Sequence, residues 1–569
     1  MRDALQSLLT RYRRQLTSYE AVLSYAALGI VGGVASGVAV LLFELAIREA
    51  SQLWGVTNGG EGFESLPRWM LFALPAGGAA VLGLVFSALR PADRETGIVH
   101  VISRMHSHYG ILPARNALVQ FFGGAFALAT GQSGGREGPG VHLGGAINSL
   151  RMLIACGTAG GISAAFQTPL AGVIFAMEVI LAEYTVVGFI PVMLAAVAAA
   201  VVTRSVSDDL SLLSIPSLEL NSLMELPMIM ALGLACGLAA GLFIRISRSA
   251  AQIGHWPVFV RFSLAGLVTG ALAYWVPQVM GMGYDTLDLA LQGKLALVTL
   301  LIVAAAKLLA TSVSCGLGMP LGLIGPNLLV GACLGGALGI GAAQYLPDIA
   351  SEPALYIVIG MSAAMGAVLN APLAAILAVV EMTHTINISM AAMLAIVTAT
   401  LTNTGLLRQQ SAHRTVLAQQ QRQVPDNPID RLLHRTDVNS TMDTRVVRVP
   451  CTFTQSDLEP LVEFKPIWCL VSRDEEDLYL LDGASLLEWL LAQEIAEDGT
   501  DITEADIRRY TVAEVPMEAT LRQALDTMRT GTAEAVSVYT RSASTGKRIL
   551  HGVVTRENVE KFVVGNVLK

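Results

Sequence analysis

Gly134-Gly135-Arg136-Glu137-Gly138-Pro139 carries the strongest chemical signal in the chain. Glu137 lies between the apolar stretch Phe121–Ala129 and Val141-His142-Leu143-Gly144-Gly145. A carboxylate at membrane depth costs about 3 kcal/mol or more, so such groups face a bundle interior or a water-filled path. The glycines and the proline around it predict broken helix, whose free N–H groups can meet an anion. The first reading is an anion pathway with a titratable acid in it. A different chemistry overlaps the same stretch. Gly131-Gln132-Ser133-Gly134-Gly135 fits Gly-x-Ser-x-Gly, a turn that presents a hydrolase serine. That makes an intramembrane serine protease the remote alternative. It needs a base within hydrogen-bond reach, and among the later apolar spans only His384, at the end of one, offers itself.

The elements that must hold these residues are membrane spans. The chain has 569 residues, 53% hydrophobic and 14% charged, where soluble domains average about 25% charged. It reads as a polytopic membrane protein whose partner is the lipid bilayer, with no nucleic acid among its partners. The net charge of −8 is uneven, since more than half of the acids follow about residue 425. The C-terminal part is therefore a separate soluble unit. Arg2, Arg11, Arg13 and Arg14, with no secretory cleavage pattern, put the N-terminus in the cytoplasm. The polar C-terminal part is expected there too, which implies an even number of crossings. The six cysteines are scattered without a CxxC or Cys/His cluster, so no metal site and no disulfide framework is expected.

Apolar stretches run from about residue 22 to 407, several of them short or broken at Gly138-Pro139, Thr168-Pro169, Gly325-Pro326 and Ala371-Pro372. Interrupted spans in matching positions point to a substrate site. The chain also repeats itself. Gly157–Val179 aligns without gaps on Gly360–Met382, pairing Pro169 with Pro372 and Glu178 with Glu381. Upstream, Gly135-Arg-Glu-Gly-Pro139 pairs with Gly322-Leu-Ile-Gly-Pro326 at a different offset, so the first half is shorter between its motifs. The connector near 145–153 is either a natural deletion or a place where a loop is omitted. The domains read as 1–20, an N-terminal segment; 21–410, the membrane domain with repeats at about 21–205 and 225–410; 411–435, a linker; and 436–569, a soluble α+β module of two similar halves. In that module strands are predicted at Arg445–Val449, Ile467–Val471, Ala535–Tyr539 and Ile549–Val554, and helices at Ser485–Gln493 and Leu521–Thr530.

These motifs resemble the CLC family of chloride channels and chloride/proton antiporters, along nearly the whole chain. The resemblance rests on Gly135-Arg136-Glu137-Gly138-Pro139, Pro169-Leu-Ala-Gly172, Gly322–Pro326 and Pro372-Leu373. The C-terminal part resembles a tandem CBS-domain pair. The resemblance implies an all-α polytopic membrane domain, an inverted repeat of broken, tilted helices, followed by the soluble α+β CBS pair. It implies a homodimer with one pore per subunit, an integral protein of the bacterial inner membrane, and chloride or another small inorganic anion as cargo, with no cofactor and no enzymatic activity.

By that resemblance Glu137 is the gate, closing the path when ionised and opening it when protonated or displaced. The anion-binding set falls on Thr96, Gly97, Ile98, Arg136, Glu137, Gly138, Leu323, Ile324 and His413. Thr96 replaces the family's serine, Glu95 and Val99 depart from its loop, Ile324 replaces an aromatic, and His413 falls where the family has a pore tyrosine. The family's antiporters carry a second, inner glutamate, and here Val179 holds that position. Val179 cannot carry a proton, so the reading is a channel with passive conduction gated at Glu137, with an H⁺-coupled antiporter of the same fold as the alternative. Glu178 and Glu381 read as structural, and His142 as a satisfied polar residue. In the CBS-like part Gly552-Val-Val-Thr555-Arg-Glu-Asn558 has Asn where nucleotide-binding members place Asp, so nucleotide binding is not expected.

Overall fold

The computed structural model describes residues 21–56, 61–107, 112–147, 151–182, 184, 186–206, 218–420, 428–473, 476–492, 500–517, 519–541 and 548–567. The chain divides into two compact units between Val424 and Pro425.

The first unit is helical. Its first half runs α1 (Ala21–Gln52), α2 (Arg68–Ala88), α3 (Gly97–Ser107), α4 (Ala114–Ala129), α5 (Glu137–Ile147), α6 (Arg151–Phe166), α7 (Pro169–Phe175) and α8 (Val186–Val206). Its second half runs α9 (Leu226–Ala251), α10 (Val258–Trp275), α11 (Tyr284–Leu291), α12 (Leu297–Gly316), α13 (Ile324–Tyr345), α14 (Pro353–Leu369), α15 (Pro372–Thr383) and α16 (Ser389–Leu401). Then comes α17 (Ala412–Gln419), which belongs to this first unit. Among the described residues eight helices are long and apolar enough to cross a membrane. Others, such as α6, α14 and α15, are apolar but shorter than the roughly 20 residues a span requires. They lie within the bundle, α14 with every residue after its first proline buried.

The internal repeat returns as repeated packing. α1 packs on α8 as α9 packs on α16, and α5 on α6 as α13 on α14. The close approach is made by glycines. A Cβ on Gly33 would lie 2.2 Å from Ala195 O, and one on Gly233 would lie 2.6 Å from Ala395 O. Lipid supplies no hydrophobic drive between helices, so close backbone contact across small residues takes its place. Pro169 and Pro372 each occupy the first turn of their helices, α7 and α15, where a missing N–H costs nothing. Much of the unequal offset between repeat motifs lies in one helix pair: α5 has 11 residues and α13 has 22. The connector questioned from sequence falls partly on 148–150, outside the described residues, with α5 ending at Ile147 and α6 starting at Arg151.

In the second unit, α18 (Pro428–Arg435) leads to β1 (Val446–Pro450), the short β2 (Thr452–Phe453), α19 (Gln455–Phe464), β3 (Trp468–Arg473), β4 (Glu476–Asp482) and α20 (Gly483–Ala492). After the short β5 (Thr500–Asp501) follow β6 (Val512–Pro516), α21 (Leu521–Thr530), β7 (Ala535–Arg541), β8 (Arg548–Thr555) and α22 (Arg556–Val567). β1 pairs parallel with β3, and β3 antiparallel with β4; β6, β7 and β8 repeat that pattern. Each half is thus β-α-β-β-α, with a helix making the parallel crossover that such a pair demands. Leu470 and Leu480 of the first half share a core with Ala535, Tyr539 and Val553 of the second. The predicted strands and helices fall where expected, while β4, β6 and α19 were not foreseen.

Candidate functional site

Two broken-helix N-termini meet head to head at the centre of the first unit. Gly135 N donates to Gly322 O at 2.7 Å and Gly322 N donates to Gly135 O at 2.8 Å. This two-way bridge joins the motifs that the sequence pairs as repeats. Immediately after it, α5 begins at Glu137 and α13 at Ile324. The Glu137 side chain turns across the bridge into the other half. Its Oε1 accepts from Ile324 N at 2.5 Å and from Gly325 N at 3.1 Å. These are the first N–H groups of α13, which have no partner within the helix and carry the positive end of its dipole. A buried carboxylate therefore occupies an anion site that the backbone itself provides.

The other carboxylate oxygen, Oε2, is buried without a hydrogen-bond partner, as is the Tyr284 hydroxyl. Both border Gly325: a Cβ there would lie 3.1 Å from the Tyr284 hydroxyl and 3.5 Å from Glu137 Oε2.

Arg136, next in sequence, is committed to structure. Its guanidinium pairs with Glu44, donates to Ala165 O at 2.8 Å and lies over the Tyr284 ring at 5.5 Å. The segment 279–283 that backs the bridge is held by Lys307. Its buried ammonium donates to Val279 O, Met280 O and Gly281 O at 3.1, 3.2 and 2.8 Å. Gly134 N in turn donates to Gly281 O at 3.3 Å.

Bordering the bridge is a cavity of about 340 Å³. Thr96, Gly97, Ile98, Gly138, Leu323 and His413 all line it. The residues come from four helix N-termini, those of α3, α5, α13 and α17. Each contributes on the order of +0.5 charge, less for the short ones, so together they attract an anion. Arg94 and Arg261 also lie on the wall and add positive charge that concentrates anions there.

The family model described as "Voltage gated chloride channel" matches residues 77–404. The chain belongs to the CLC family. It is 31% identical over 394 residues to "Putative chloride channel protein ClcB-like" of Ralstonia nicotianae, covering 65% of this chain and 91% of that one. It is 27% identical over 455 residues to "H(+)/Cl(-) exchange transporter ClcA" of Vibrio campbellii, covering 75% and 96%. Among solved structures it resembles a slow cyanobacterial Cl−/H+ antiporter at a TM-score of 0.62, 22% identity and coverage of 70% and 97%. It also resembles a eukaryotic CLC transporter at a TM-score of 0.60, 20% identity and coverage of 95% and 99%. As a CLC protein it is an integral membrane anion transporter and not an enzyme.

Within this CLC frame most of the residues singled out from sequence come together. Glu137 and Ile324 are hydrogen-bonded, and six more line the cavity beside them. Gly97 N, however, already donates to Gln120 Oε1 at 2.6 Å. Gln120 then donates to Pro320 O at 2.9 Å, tying the start of α3 to the segment before α13. Gln120, Lys307, Tyr284 and Arg261 were not foreseen. The available signal was a polar or charged residue within an apolar run, as in Gln120 of α4 and Lys307 of α12.

Glu178 and Glu381 have matching structural tasks. Glu178 accepts from Leu373 N at 3.3 Å and Ala374 N at 2.9 Å, while Glu381 accepts from Leu170 N at 2.9 Å and Ala171 N at 2.8 Å. Each acid caps the helix of the opposite repeat. Val179 sits beside Glu178 on a π-type turn, Ala176–Leu181, packed against the core. Ser133 shares a hydrogen bond with Thr311 Oγ1 at 2.8 Å rather than with a histidine, which removes the hydrolase reading. In the second unit Asn558 Nδ2 donates to Asp443 at 2.9 Å and Thr441 O at 3.2 Å, so its amide is engaged within the fold.

Proposed function

We propose that this CLC protein exchanges chloride, or a similar small anion, for protons, with Glu137 as the gate. The observation that carries this reading is the pair of hydrogen bonds from Ile324 N and Gly325 N to Glu137 Oε1. The ionised carboxylate and the anion compete for the same donors. Protonation removes the charge that holds Glu137 there, frees the N–H groups and admits the anion. One group thus binds either a proton or, by yielding its place, an anion, which is what coupling requires. The relatives named as exchangers and antiporters support the coupled form.

Passive conduction is the second reading, favoured by Val179 at the position where antiporters of the family carry an acid. Thr96, Leu323 and His413 line the anion path in both. The assembly proposed is a homodimer in the bacterial inner membrane with both termini cytoplasmic. The second unit is proposed as a CBS pair that packs without nucleotide.

The test is the reversal potential of the purified protein in liposomes under a chloride gradient, with and without an opposing pH gradient. Exchange displaces the reversal potential from the chloride Nernst value when the pH gradient is applied. A reversal that stays at the Nernst value establishes the channel.

A further inference from the structure

A second titratable centre lies on the wall of the same cavity. His100, one turn into α3, lines the cavity beside Glu95 and Thr96. Its Nδ1 is 2.8 Å from Nε2 of His142 on α5, and the two buried rings are stacked. The other nitrogen of His100, Nε2, faces two partners of opposite kind. Arg104 Nε donates to it at 3.1 Å, and Glu95 Oε2 lies 3.3 Å away as an acceptor. The far nitrogen of His142, Nδ1, is buried with no hydrogen-bond partner.

This arrangement suits both protonation states. When His100 Nε2 is bare it accepts from Arg104, and its Nδ1–H donates to His142. When Nε2 takes a proton it can no longer accept from Arg104, whose guanidinium must withdraw; the N–H then donates to Glu95, and the imidazolium is shared across the short contact to His142. Two charges 2.8 Å apart are excluded, so the pair holds one exchangeable proton.

We propose that His100, backed by His142, is the proton-loading site of the transport cycle, taking the role that position 179 cannot fill; this rests on the exchange reading above. The helix that carries His100 packs against the 176–181 turn that carries Val179. Loading is a transfer from cavity water to His100 Nε2. Unloading returns that proton through the cavity, whose wall includes Gly138 and Gly322 next to the gate, and converts the Glu137 carboxylate to a carboxyl. No bond other than the N–H and O–H changes.

The neighbouring charges leave this role to His100. Glu44 pairs with Arg136, and Glu178 caps Leu373 and Ala374. Arg48, Glu49 and Arg115 are exposed. His413 also lines the cavity, but its Nδ1 has no partner to hold a proton in place. Arg414, beside it on α17, is half-buried, and its backbone N–H donates to Ser411 Oγ.

The experiment measures proton uptake and chloride efflux in the same liposomes for the full chain and for H100Q, H142Q and E95Q. In H100Q the ratio of protons to chloride is expected to fall about tenfold, and in H142Q about threefold, with chloride still moving. E95Q leaves the buried pair intact, so it serves if the histidine variants do not fold. It removes the negative charge that favours the loaded proton while keeping an amide oxygen in its place, and half-maximal proton uptake is expected about one pH unit lower. An unchanged ratio in H100Q, or an unchanged pH profile in E95Q, in a protein that couples overturns the proposal alone. A wild-type protein that moves no protons overturns the exchange reading and this proposal with it.

Discussion

Glu137 Oε1 takes two backbone donors, those of Ile324 and Gly325, and on the proposed reading the cargo anion competes for them, so that the state of one side chain decides whether the path is open. In E137Q an amide replaces the carboxylate and titrates no longer. Chloride flux in liposomes is expected to rise as pH falls in the wild type and to become nearly independent of pH in E137Q. A pH profile that survives this substitution would remove Glu137 as the gate. Lys307 supports the proposed gate indirectly, by holding three consecutive carbonyls, Val279 to Gly281. Lys307→Met leaves those acceptors buried and unpaired, at a cost of about 3 kcal/mol. The melting temperature of the purified variant in detergent checks this, with a clear drop expected.

At the scale of elements, the two repeats are locked by an exchange of caps. The carboxylate of Glu178 satisfies the start of α15, and that of Glu381 the start of α7. Replacing either with alanine orphans two N–H groups and removes a charge from a helix N-terminus, costing about 1–2 kcal/mol. E178A and E381A are expected to lower thermal stability by similar amounts, since the two caps are repeat mates. The glycine stripe gives a sharper contrast. Gly33→Leu puts atoms where Ala195 O already lies, whereas at Gly77 of α2 no atom stands within 4 Å of an added Cβ. The first is expected to lose about 3 kcal/mol or fail to assemble, and Gly77→Ala to behave as wild type in size-exclusion chromatography and melting.

On the scale of the whole molecule, transport chemistry resides in the first unit and the second has cores of its own. Residues 425–569 expressed alone are expected to unfold cooperatively in urea. Titration with ATP is expected to give no binding heat, because the Asn558 amide is already bonded to Asp443 and Thr441.

Much of this was legible without coordinates, for reasons that are local. A charge in an apolar run marks Glu137, because burying a carboxylate is too costly to be incidental. Glycine and proline mark the broken helices, and the duplicated Pro-Leu-Ala with its distant acid marks the repeat. The β-rich runs mark the soluble module, although β4 and β6 were missed among polar, acidic residues. Other features depend on pairs remote in sequence. Glu137 meets Ile324 across 187 positions, and Gln120 meets Pro320 across 200. His100 and His142 are unremarkable singly, each a polar residue on a helix. Only the packing of α3 on α5 brings their nitrogens to 2.8 Å. The sequence by itself determined the membrane class and the family and singled out the candidate gate, since each is written in residue type and short-range spacing. The tertiary structure decided what Glu137 grips, which acids cap helices, and that His100 meets His142, because those depend on contacts between distant helices that no local pattern encodes.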